Sequence, residues 1–101
     1  MLNINEKTLD AYKQKVRAQI KEMKAKMQML EARAEKSDAN IHIKYQKNMN
    51  DWKSRFNDVE TKLDKLSDSA EKSWDDIQSG IDTSLKDLRK AIESATKQFN
   101  N

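Results

Sequence analysis

From Leu9 to Phe99 an apolar residue recurs every three or four positions, and the series never loses phase. It passes through Leu9, Tyr12, Val16, Ile20, Met23, Met27, Leu30, Ala34, Ser37, Ile41, Tyr45, Met49, Trp52, Phe56, Val59, Leu63, Leu66, Ala70, Trp74, Ile77, Ile81, Leu85, Leu88, Ile92, Ala95 and Phe99, and Ser37 is its one polar member. Freedom to choose three or four at each step flatters such a series. The complement is a fairer test: beyond Leu9, the only large aliphatic residues off the path are Met29 and Ile43. The step averages 3.6 residues, the α-helical repeat. Period two, the mark of a strand, appears nowhere at length. The pattern predicts an all-α chain of long amphipathic helices, with the series as its helix-packing seam.

The seam has two spacings. Val16 to Ile41 and Met49 to Ala70 alternate fours and threes, the heptad habit of left-handed supercoils. From Ala70 onward the spacing becomes elevenfold: Ala70, Ile81 and Ile92; Ile77, Leu88 and Phe99; Trp74 and Leu85. Eleven residues in three turns make a straighter or slightly right-handed path. One helical domain over 1–101 is expected, heptad-like over about 9–70 and hendecad-like over about 70–99, with a candidate break near 67–70. An extra four-step at Ile41, Tyr45 and Met49 reads as a local adjustment of the same kind.

Composition agrees. Charged residues make up 37% of the 101 and apolar residues 36%, there is no proline, and Gly80 is the only glycine. Average domains are about 45–50% apolar and about 25% charged, so this chain has material for a narrow seam rather than a thick core. A narrow stripe between charged faces does not hold a helix alone and must be buried, at about 25 cal/mol per Å² of apolar area.

Four stretches are poor in helix formers: Ser37-Asp38-Ala39-Asn40, Asn48-Met49-Asn50-Asp51, Ser67-Asp68-Ser69 and Gln78-Ser79-Gly80. Breaks at the first and third give an antiparallel three-helix bundle. A break at the second gives a hairpin. No break gives a rod of roughly 135 Å. A turn usually inserts residues that reset the pattern, and no reset is visible. The unbroken phase favours continuity, and the expected fold is an elongated coiled coil or an antiparallel helical hairpin or bundle, its seam covered by self-association or by folding back. Ser67-Asp68-Ser69 is the weakest point, since Ser73 and Asp76 resemble a helix start, and Gly80 is a candidate hinge. Residues 1–50 carry net charge +5 and residues 51–101 carry −2. Opposite halves attract when laid antiparallel, and that pairing is expected.

The chain offers little to catalysis. It lacks cysteine, which removes disulfides and thiolate chemistry. His42, the sole histidine, sits beside the seam without converging partners and reads as a solvated surface residue. Met23, Met27 and Met29 read as packing rather than as a thioether metal site. Asp75 with Asp76, and Glu31 with Glu35, read as solvated faces, because acid–base work needs a pocket that shifts pKa values. Trp52 and Trp74 lie on the seam and read as buried area, with a partner anchor as the alternative. No catalytic residue, cofactor or metal site is expected. The segment from Lys7 to Leu30 is basic and amphipathic. Lys13, Lys15, Arg17, Lys21, Lys24 and Lys26 form a candidate basic surface for an anionic membrane or, less readily, a phosphate backbone. Met1 to Asp10 is polar, and no apolar run approaches a membrane span, so a cytoplasmic setting is expected.

The C-terminal third, from Ser73-Trp74-Asp75-Asp76-Ile77 through Gly80-Ile81 to Leu85-Lys86-Asp87-Leu88, Ala91-Ile92 and Phe99, resembles small bacterial coiled-coil proteins of uncharacterised function with tryptophan-containing, apolipoprotein-like eleven-residue repeats. The region around Ile43-Lys44-Tyr45 is loosely similar as well. The resemblance implies long helices and a cytoplasmic location, and it supplies no activity and no functional residues. The expected role is a structural or adaptor coiled coil that forms a homo-oligomer or docks on a larger protein assembly. The alternatives are a membrane-surface or lipid-associating helix and non-specific nucleic-acid binding.

Overall fold

The seam has to be covered, and the chain covers it by folding back on itself twice. The computed structural model describes residues 6–68 and 71–99, and side chains over 8–68 and 73–98. Three helices of nearly equal length follow one another: α1 Glu6–Glu35, α2 Ala39–Asp68 and α3 Glu71–Phe99. Each packs against the other two, in a bundle of 52 × 18 × 16 Å. The fold is all-α and elongated, as the seam requires, but the expected continuity does not hold. The chain turns within the first weak stretch. At the third, Ser67 and Asp68 still belong to α2, while Ser69 and the seam residue Ala70 lie outside the described residues. The second stretch and Gly80 are passed without interruption, inside α2 and α3.

The first turn is made by three residues with local partners. α1 closes on tight i+3 bonds, from the Lys36 amide to the Arg33 carbonyl at 3.2 Å and from the Ser37 amide to the Ala34 carbonyl at 3.0 Å. The Ser37 hydroxyl also donates to the Arg33 carbonyl, at 3.0 Å. Asp38 then caps α2: its Oδ1 accepts from the Ile41 amide at 3.0 Å, and its carbonyl from the His42 amide at 3.0 Å. A side-chain oxygen that takes up an orphan amide in the first turn fixes where a helix starts. Asp38→Ala is expected to lower stability by about 1 kcal/mol, read as a shift of the urea midpoint at unchanged slope.

The cap resets the phase. From His42 the inward series runs Tyr45, Met49, Trp52, Phe56, Val59, Leu63 and Leu66 in strict threes and fours, all of these seven buried. His42 is half-buried rather than solvated, with Nδ1 3.4 Å from the Ala34 carbonyl oxygen. Ile41, assigned to the seam by the unbroken series, is instead 42% exposed. The extra four-step at Ile41 was the reset itself.

α1 and α2 are antiparallel: Arg17 lies against Asp64, Lys24 against Glu60, and Tyr45 against Met27. α1 and α3 run the same way, since Tyr12 meets Asp82 while Leu30 shares a concavity with Thr96. The core runs through the middle of all three helices, from Val16, Ile20, Met23, Met27 and Leu30 on α1 to Ile81, Leu85, Leu88, Ile92 and Ala95 on α3. Ile77 packs on it partly buried, Trp74 is half-buried, and the side chain of Phe99 lies outside the described residues. No buried residue of this core is charged, among the described residues.

Tyr45 brings the core's polar group. Its hydroxyl donates to the Met27 carbonyl at 2.7 Å, and its ring meets Trp52 edge-on at 5.8 Å. Burial, helped by the Glu31 carboxylate, pushes the phenol up to about 12 from 10.0. The unfolded chain therefore loses this proton first as pH rises, and folding is penalised wherever only the folded state still holds it. Helicity should be steady up to about pH 10 and fall towards pH 12, with a shallower fall in Tyr45→Phe when followed by circular dichroism.

In α3, a Cβ built on Gly80 has nothing within 4 Å, and its φ is negative. Gly80→Ala should stabilise the bundle by about 0.5–1 kcal/mol, seen as a raised Tm, because alanine relieves the backbone entropy of a helical glycine.

Candidate functional site

Three rods packed side by side leave long furrows between neighbours, and two of these differ in charge, one balanced and one basic. The furrow between α1 and α2 holds a concavity of about 600 Å³ lined by Arg17, Ile20, Lys21, Lys24, Ala25, Gln28, Glu60, Leu63 and Asp64. A neighbouring one adds Glu31, Lys53 and Phe56. Its charges nearly cancel and answer each other across the gap. Arg17 Nη2 lies 3.8 Å from Asp64 Oδ1, and Lys24 Nζ lies 3.2 Å from Glu60 Oε1. Lys24 also stands 5.8 Å from the centre of the Phe56 ring, over its face. Lys13 donates to the Ser67 hydroxyl on α2. The basic α1 thus meets carboxylates near the end of α2, but the expected pairing of whole halves does not form, because α3, the larger part of the second half, runs parallel to α1. Exposed pairs of this kind contribute about 0–1 kcal/mol each and fix register more than stability.

The furrow between α1 and α3 differs. At one end, a concavity of about 220 Å³ is lined by Tyr12, Lys15, Val16, Gln19, Asp82, Leu85, Lys86 and Arg89. At the other, one of about 360 Å³ is lined by Lys26, Met29, Leu30, Arg33, Glu93, Thr96 and Lys97. Six cations and two carboxylates line the pair. One carboxylate is already engaged: the Tyr12 hydroxyl donates to Asp82 Oδ1 at 2.9 Å. Burial, then this bond and the Asp82 charge, hold the Tyr12 phenol well above the ordinary range. The apolar surface on offer lies mostly in the second concavity, where Met29 stands 59% exposed; Val16, Leu85 and Leu30 lie beneath the furrow and are buried.

The six residues read from the sequence as one basic surface therefore do not form one. Arg17, Lys21 and Lys24 line the balanced α1/α2 furrow, and Lys13 is turned onto Ser67. Lys15 and Lys26 line the basic furrow, Lys26 with Glu22 at 3.8 Å one turn before it. The side chain of Lys7, which opened that segment, lies outside the described residues. The basic furrow owes half its cations to Lys86, Arg89 and Lys97, which were not singled out because the second half of the chain is acidic overall. Arg33 was missed as well. Phase gives part of the signal, since Arg33, Lys86 and Arg89 each stand beside a seam position, but the side they face is set by the order of the helices in the bundle.

Among the described residues, no three His, Asp or Glu side chains converge as metal ligands, and no helix is long and apolar enough to cross a membrane. Compared with protein-family models, with curated proteins and with solved structures, the chain finds no match.

Proposed function

We propose that this chain is a non-catalytic docking module, a three-helix bundle that engages a larger protein assembly through its outer faces. The observation that carries this reading is the basic α1/α3 furrow, with the exposed Met29 in its second concavity, on a bundle whose seam is already covered. The expectation of self-association rested on a seam in need of a second chain, and α1, α2 and α3 supply that cover to one another. The membrane alternative used the same α1 stripe, which is buried by α2 and α3 and would have to be pulled out of the core. Contact surfaces are then left to the flanks, where Met29 offers an apolar grip amid cations. The cytoplasmic setting expected from the sequence is part of this proposal.

The test is position-specific cross-linking. A photoreactive amino acid at Met29, in the furrow, should give a discrete adduct with another protein in cells that express the chain. The same group at Ser54, exposed on α2, should not. Sedimentation equilibrium of the purified protein should give a mass near 11.8 kDa. A stable dimer, or equal adducts from both positions, would overturn the reading.

A further inference from the structure

The two concavities of the α1/α3 furrow are repeats of each other. Lys15 and Lys86 face across the first, and Lys26 and Lys97 across the second, eleven residues later on both helices. Asp82 is followed at eleven residues by Glu93, Gln19 by Leu30, and Leu85 by Thr96, and all of these line the corresponding concavity. Such a shift is three helical turns, about 16 Å along the axis. Because α1 and α3 run parallel, the same shift on both preserves the face-to-face pairing; two antiparallel helices would lose it. The furrow thus presents one charged pattern twice in line, a lysine on each wall with a single acid, while the residues between change from Gln19 and Leu85 to Leu30 and Thr96.

We propose that this furrow receives an acidic amphipathic helix of another protein, with its carboxylates recurring at eleven residues on both edges of an apolar stripe. The proposal rests on the docking reading above and names the chemistry of the partner. Charge decides the sign of the occupant. Six cations against the two carboxylates Asp82 and Glu93 leave the furrow net positive, with lysines on both walls. Shape decides its class. A furrow between two helices accepts a third at interaxial distances of about 8–10 Å, with apolar knobs over its floor and charged flanks against both walls. A bilayer surface is flat and meets only the crests of the two helices. A phosphate backbone carries no apolar group to cover Met29. Periodicity decides the spacing, since a straight helix stays in step with another only at a shared repeat, and eleven residues is the one both walls use.

The test uses the full chain and two designed peptides of identical composition. In one, glutamates flank an alanine–leucine stripe at eleven-residue spacing; in the other, the glutamates are moved to seven-residue spacing. Fluorescence anisotropy at low salt should show tighter binding of the first peptide. Lys26→Glu with Lys97→Glu should weaken it by about tenfold or more, and Lys15→Glu with Lys86→Glu by a similar factor, because each reverses both walls at one station. Lys21→Glu with Lys53→Glu, on the α1/α2 furrow, should leave binding within about twofold. All six of these lysines are exposed, and circular dichroism checks that each variant folds. Equal affinity for the two peptides, equal loss from the α1/α2 variant, or no binding would overturn the proposal. So would tighter, furrow-dependent binding of phosphatidylglycerol vesicles or of single-stranded DNA. An adduct from Met29 in cells together with failure of both peptides would overturn the partner chemistry and leave the docking reading standing.

Discussion

Phe56→Ala should cost the bundle about 3–5 kcal/mol, a large share of the roughly 5–15 kcal/mol that keeps a chain of this size folded. Phe56 is 0% exposed and sits near the middle of α2, with Trp52, Val59 and Leu63 as buried neighbours along its own helix. The bundle is only 18 × 16 Å in cross-section. A core that thin has no second shell to relax into the space, so the cavity term should fall at the upper end of its range. The Lys24 ammonium over the ring loses its partner as well, although its pair with Glu60 remains. Urea denaturation should show the midpoint falling with little change in slope, and Tm should drop by well over 10 °C, at about 4–8 °C per kcal/mol. A loss below about 1 kcal/mol would mean that Phe56 is not in the core.

The second large effect is a contrast between two isoleucines that the seam treats as equals. Ile81→Lys places an ammonium at a position with 0% exposure and no carboxylate in the core to meet it, and should cost more than about 4 kcal/mol, enough to leave much of the protein unfolded. Ile41→Lys should change stability by no more than about 0.5 kcal/mol, because Ile41 is already 42% exposed. In a continuous rod both residues would be on the buried stripe and both changes would be severe. The pair of variants, compared by thermal and urea denaturation, therefore distinguishes a chain that turns at Asp38 from one that does not.

Ile41 also marks how far the sequence could be read. Helical class, seam and core were legible because burial imposes one periodicity over thirty residues at a time. From Val16 to Leu30, from Tyr45 to Leu66 and from Ile81 to Ile92, the predicted positions are the buried ones. The first turn was not legible in the same way. It takes only Lys36 to Asp38, and those residues happen to keep an apolar residue within four steps on either side, so the break looks like continuity. What decides it is a local competition: Asp38 satisfies an amide of the new helix, and Ser37 a carbonyl of the old one. Periodicity does not record such bonds. The basic furrow was half legible for a related reason. Charge along α1 is visible in the sequence, but which cations face α3 depends on handedness and order in the bundle. Arg17 and Lys15 are two residues apart and end in different furrows.

An odd number of helices of equal length has a consequence for anything joined to this chain. Glu6, at the start of α1, and Phe99, at the end of α3, stand at opposite poles, about 45 Å apart for a thirty-residue helix. A hairpin would bring both poles together like a clasp. Here the molecule is a strut, and fluorophores attached beside Glu6 and Phe99 should report a long, fixed separation that collapses only when the helices melt.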